Sequence, residues 1–99
     1  MNRITDLDLI LPCYNPPPGW ELKVIGKFKE VQSLFTSINF HLLIVSDGST
    51  RGYEPETVAT LKQEIPGIQI VDYRPNRGKG YALREAVRHC QLEYIIYTD

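Results

Sequence analysis

Leu9, Ile10 and Leu11 run straight into Pro12. Three apolar residues in a row are too few for a helix stripe, and proline stops either kind of regular structure. A short apolar run bounded by turn residues fits a strand covered on both faces, as parallel sheets contain. Pro12 has no N–H to give a ladder, so regular pairing is expected to fail there. The polar residues Tyr14 and Asn15 then fall just past the strand's carboxyl end. In an open parallel sheet that is the edge at which ligands bind.

The rest of the chain alternates around this run. Pro16, Pro17, Pro18 and Gly19 form a stiff loop. From Trp20 the apolar residues Val24, Ile25, Phe28, Val31, Leu34, Phe35 and Ile38 recur at three and four, which predicts an amphipathic helix. Residues 40–46 are a second buried-type strand, stopped by Asp47-Gly48-Ser49-Thr50. Pro55 suits the first turn of a second helix, with Val58, Leu61 and Ile65 on its inner side and Pro66-Gly67 after it. Residues 68–73 predict a third strand, 74–80 a loop, and Ala82, Leu83, Ala86, Val87 and Cys90 a third helix. Residues 94–98 predict the fourth strand, with the apolar run starting at Leu92.

The order βαβαβαβ predicts an α/β fold, a parallel sheet with helices on both faces. If the first strand is central and the chain reverses after the third, the sheet order is 3-2-1-4. Tyr14, Asn15, Asp47, the 74–80 loop and Asp99 all follow strands, so they converge on one edge.

Composition narrows the partners. The 99 residues suit one small domain, and a net charge of −1 gives no bulk attraction for nucleic acid or anionic membrane. No apolar run approaches a membrane span, and the amino terminus lacks a signal core, which points to the cytoplasm. Cys13 and Cys90 are expected at opposite edges of the sheet, too far apart for a disulfide. No CxxC or Cys/His cluster suggests zinc. A central-type strand followed at once by the chain end reads as part of a longer chain. Its open edge is also a template for pairing with a second copy.

Asn76-Arg77-Gly78-Lys79-Gly80 is a glycine-bearing turn that opens a helix and carries two cations. Helix-start N–H groups and the dipole attract an anion, so a diphosphate is a natural guest; the glycines could equally serve only to relieve backbone strain. No Walker A loop is present, and the first βα turn lacks GxGxxG. Asp47 can accept hydrogen bonds from a base or a ribose, or it can cap a turn. Asp99 can meet a ribose or, with a second carboxylate, a divalent cation. Tyr14 can flank a base or sit as an ordinary rim residue. Trp20, His41 and His89 read as packing or helix-end residues, and no nucleophile triad is evident.

Together, residues 9–15, Ser46 to Thr50, residues 76–84 and Tyr97-Thr98-Asp99 resemble the amino-terminal half of family 2 glycosyltransferases, in order and in spacing. The Asn-Arg-Gly-Lys-Gly stretch also resembles the branch that makes polyprenyl-phosphate sugars. The resemblance implies the Rossmann-like half of a nucleotide-diphospho-sugar transferase (GT-A) fold. It implies inverting transfer from a UDP- or GDP-type sugar with Mg²⁺ or Mn²⁺. Pro12, Tyr14 and Asn15 would line the nucleotide pocket, and Asp47 would hydrogen-bond the base. Asn76, Arg77, Gly78 and Lys79 would lie near base and diphosphate, and Asp99 would touch ribose and assist the metal. The family's second signature acid, its general base and its acceptor-binding half lie beyond residue 99. The 99-residue chain is therefore expected to hold no catalytic residue, to bind donor without transferring it, and to meet membrane only through parts outside it. The prolines after Asn15 depart from the family's usual polar loop. Two other readings stay open: a non-catalytic nucleotide- or phosphate-binding module, and an interaction domain that dimerises through its last strand.

Overall fold

The opening apolar run becomes β1 (Thr5–Pro12), and the chain continues as α1 (Trp20–Leu34), β2 (Ile38–Asp47), α2 (Pro55–Glu64), β3 (Gln69–Tyr73), α3 (Lys79–Arg88) and β4 (Tyr94–Tyr97). These elements come from a computed structural model that describes residues 5–90 and 94–97. All pairings are parallel and the strands lie in the order β3-β2-β1-β4. The fold is thus a Rossmann-like α/β sheet. Leu92, Thr98 and Asp99 lie outside the described residues.

The continuous apolar runs in β1 and β2 exist because both sheet faces are covered. On one face Leu42 and Ile44 pack with Trp20, Ile25, Phe28, Leu61 and Ile65 from α1, α2 and the end of α2. On the other, Ile10, Leu43 and Val45 pack against Ala82 and Ala86 of α3. The alanines let α3 approach the sheet closely, and removing this apolar area from water is the main term holding the layers together.

Three details differ from the reading of the sequence. Pairing does not stop at Pro12, which registers with Val45, and Cys13 N–H donates to Val45 O at 3.0 Å. Parallel strands alternate the side to which each residue bonds. Cys13 bonds toward β2, so the Pro12 nitrogen faces away from β2 and its missing N–H costs that pair nothing. Ile38 belongs to β2 rather than to the helix stripe. α1 closes when Phe35 N–H donates to Val31 O, and Thr5 N–H already takes Ser37 O into the ladder at 2.9 Å. Leu34 and Phe35 are consequently exposed, at 68% and 51%.

Trp20 is a core residue whose indole N–H donates to Gly52 O at 2.8 Å. His41 meets Asp6 at 3.3 Å on the exposed start of β2, and His89 sits at the carboxyl cap of α3, 3.8 Å from Glu85. Cys13 and Cys90 are free thiols. Among the described residues no helix is long and apolar enough to cross a membrane.

Candidate functional site

Because the strands are parallel, β1 and β2 end on the same edge as β3, whose following loop closes over it. These ends enclose a cleft of ≈ 360 Å³. β1 and its continuation supply Pro12, Cys13 and Tyr14; β2 supplies Val45 and Asp47; the 74–80 loop and α3 supply Asn76, Gly78, Lys79 and Ala82. Val45 and Ala82 make an apolar floor, and Tyr14, 57% exposed, stands on the rim. The positive end of α3 opens here, with Gly78 as its cap and no capping side chain.

The three strand ends are wired together. Asp47, itself buried, accepts Arg77 N–H on Oδ1 and Gly78 N–H on Oδ2, each at 2.8 Å. Asn76 Nδ2 donates to Asp47 O at 3.0 Å, and Gly48 N–H donates to Tyr73 O at 2.9 Å. Gly48 takes φ +73° and lies so close to the Asn76 backbone that a Cβ there has no room. On the other side, Asn15 (φ 44°) ties β1 to the turn after β2. Its N–H donates to Ser49 Oγ at 2.9 Å, and its Oδ1 accepts Thr50 N–H at 2.7 Å. Arg51 donates to Asn15 O at 3.3 Å. Tyr53 OH donates to Cys13 O at 2.7 Å.

The electrostatics follow from this burial. Burial pushes the Cys13 thiol up to about 11, so at neutral pH it is a protonated, unreactive lining group. Burial also raises the Tyr53 hydroxyl far above its ordinary range. Tyr73 is raised by burial and then by the neighbouring Asp47 carboxylate, as a hydrogen-bonding neighbour first and as a charge second. Beyond Asp47 the Tyr73 ring packs edge-on to Tyr81 at 5.3 Å, and the Arg77 guanidinium lies 5.2 Å over the Tyr81 ring.

The residues singled out in the sequence are therefore distributed as follows. Pro12, Tyr14, Asp47, Asn76, Gly78 and Lys79 share the cleft. Asn15 stands behind its wall, with its carboxamide oxygen turned to Thr50. Arg77 contributes its backbone N–H to Asp47 and its side chain to Tyr81. Asp99 lies outside the described residues. Ser49, Tyr53 and Tyr81 support the site although sequence reasoning gave them no part. Only the Asp-Gly-Ser-Thr turn hinted at Ser49, and nothing in periodicity pointed to the two tyrosines.

Among the described residues no three His, Cys, Asp or Glu side chains gather to hold a metal. Asp47 has both oxygens engaged by backbone N–H groups. The described side chains thus do not make a cation seat by themselves.

A parallel α/β sheet with a cleft at the carboxyl ends of its central strands is the class of fold that binds ligands at that edge. Within that class, the chain belongs to glycosyl transferase family 2, whose family model matches residues 8–99. It is 27% identical over 96 residues to dolichyl-phosphate beta-glucosyltransferase ALG5A of Trichomonas vaginalis. It is 25% identical over 97 residues to the dolichyl-phosphate beta-glucosyltransferase of Saccharomyces cerevisiae. Each match takes in 94% of this chain and 29% of the relative, so the chain spans less than a third of the length of these curated relatives.

Proposed function

We propose that this chain is the donor-binding part of an inverting glycosyltransferase. It would move a sugar from a UDP- or GDP-type nucleotide-diphosphate sugar to an isoprenoid phosphate. The observation that carries this reading is the single cleft shared by Pro12, Tyr14, Asp47, Asn76, Gly78 and Lys79. The family match supports the reaction class, and the dolichyl-phosphate glucosyltransferase activity of both relatives supports the acceptor.

In this reading Tyr14 flanks the base on the rim, and Pro12 and the Asn15 turn shape the nucleotide wall. The diphosphate lies at the start of α3, where Lys79 and the helix dipole offset its charge. A divalent cation, Mg²⁺ or Mn²⁺, would neutralise the departing diphosphate, with Asp99 as the residue of this chain that holds it. The acceptor oxygen forms the new bond to the anomeric carbon as the bond to the diphosphate breaks, and the nucleoside diphosphate leaves. An acceptor hydroxyl would need a base to take its proton. A phosphate monoester is already largely ionised at neutral pH, its second pKa being about 6. A phosphate acceptor therefore lowers the demand for a general base, and this chain is assigned donor binding rather than transfer. An isoprenoid acceptor would bring the protein to a membrane surface, and the cytoplasmic side of it is part of this proposal.

Calorimetry with UDP and with GDP, each with Mg²⁺ or Mn²⁺, tests the reading. Saturable heat with one of them, strengthened by metal, is expected. Silence with both at millimolar ligand sinks it. A second reading rests on β4, an edge strand whose described partner is β1 alone: a copy could pair there. Sedimentation at rising protein concentration would then give a discrete dimer.

A further inference from the structure

We infer that Tyr53 is a positioning residue: its hydroxyl holds the Cys13 carbonyl and so sets the wall, residues 13–15, against which a base would lie. The inference rests on the functional reading above and deepens it. β1 ends at Pro12, and Cys13 N–H still bonds Val45 O. Beyond that the wall is held from the turn after β2. Tyr53 OH donates to Cys13 O at 2.7 Å. Ser49 Oγ donates to the same carbonyl at 3.4 Å and accepts Asn15 N–H at 2.9 Å. The residues on both sides of Tyr14 are thereby fixed, and Tyr14 is left projecting at the rim, 57% exposed.

Asn15 shows why a brace is needed. Its φ of 44° is one that residues other than glycine seldom adopt, and they keep it where the surroundings over-determine it. Tyr53 can serve because its ring is itself held. The ring packs on the core and lies 5.2 Å from that of the buried Trp20. The Trp20 indole N–H bonds Gly52 O, and Gly52 lies so close to the Pro16 ring that a Cβ has no room. A hydroxyl on so fixed a ring sets the direction of the carbonyl as well as its place. The other half of the cleft is held by a different group, Asp47 on Arg77 N–H and Gly78 N–H. Loss of the Tyr53 hydroxyl therefore disturbs the base side and spares the start of α3.

Tyr53→Phe is the informative change, since it keeps the ring and removes one donor. Wild type and variant would be titrated with UDP, GDP and inorganic diphosphate, each with Mg²⁺. The expected result is nucleotide binding weakened about five- to tenfold, with inorganic diphosphate unchanged. An equal loss for inorganic diphosphate, or full nucleotide affinity in the variant, overturns the inference. A second measurement needs no ligand. The Asn15 N–H reaches the same carbonyl through Ser49, so its hydrogen exchange should be slow in the wild type and faster in the variant. The Cys13 amide, bonded to Val45 O, should stay protected in both. Rapid exchange at Asn15 in the wild type overturns the inference whether or not the variant folds. If the wild type binds no nucleotide, the functional reading falls, and the Asn15 amide alone decides whether Tyr53 braces the wall.

Discussion

Gly48 carries the sharpest single-residue constraint in the molecule. Its φ of +73° disfavours any side chain, and a Cβ would lie against the Asn76 nitrogen and 2.5 Å from its Cα. Both neighbours are backbone, which cannot swing aside. Gly48→Ala should therefore cost about 2–4 kcal/mol in urea denaturation, combining backbone strain with overpacking. Gly67 separates the two effects, because its φ is +86° but nothing lies within 4 Å. Gly67→Ala should cost only the left-handed strain, about 1 kcal/mol. Equal losses at the two sites would mean that Gly48 does not press on the 74–80 loop. Asn15 permits a similar separation. Asn15→Ala loses the Thr50 N–H bond and also strains a positive φ, for about 1–2 kcal/mol, whereas Asn15→Gly loses the bond alone and should cost less. At this scale the sequence showed that Asn15, Asp47 and Gly48 sit at turns. It could not show which atoms they meet, because each partner lies about thirty or more residues away.

Among the elements, α1 shows where periodicity stops being informative. Spacing alone makes Leu34, Phe35 and Ile38 continue the stripe of Ile25 and Phe28. Yet the helix ends at Leu34, and the residues after it either face solvent or enter β2. The apolar pattern reports amphipathicity but not the end of a helix, which here is decided by Ser37 O entering the ladder with Thr5. The stability consequences differ accordingly. Phe28→Ala, at 6% exposure, should cost about 3–5 kcal/mol, while Leu34→Glu, on the exposed last turn, should stay within about 0.5 kcal/mol. A large effect at Leu34, read from the denaturation midpoint, would place that residue in a contact the fold does not contain. Pro12 teaches the complementary point: whether a missing N–H matters depends on the side of the strand it faces.

For the whole molecule, the half-buried thiols and phenols set the response to alkali. Cys13 and Cys90 are each raised by burial from 9.0 to about 11, and Tyr53 and Tyr73 are raised in the same sense. The folded chain keeps thiol protons that the unfolded chain releases. Their contribution is fully present below pH 9 and lost as pH rises through about 11. The urea midpoint should therefore fall between pH 9 and 11, and less steeply in a Cys13→Ser, Cys90→Ser variant; a flat profile would contradict the burial. What the sequence determined by itself was the alternation of buried strands and amphipathic helices, and with it the parallel sheet that brings distant turns to one edge. Those features are written in local apolar spacing and turn residues, so neighbouring residues suffice to encode them. Only the tertiary structure decided that Asp47 holds the backbone of residues 77–78, that Asn15 braces the turn after β2, and that Arg77 lies over Tyr81. Hydrogen bonds and ring contacts between separate loops depend on distances that exist only once the sheet has assembled.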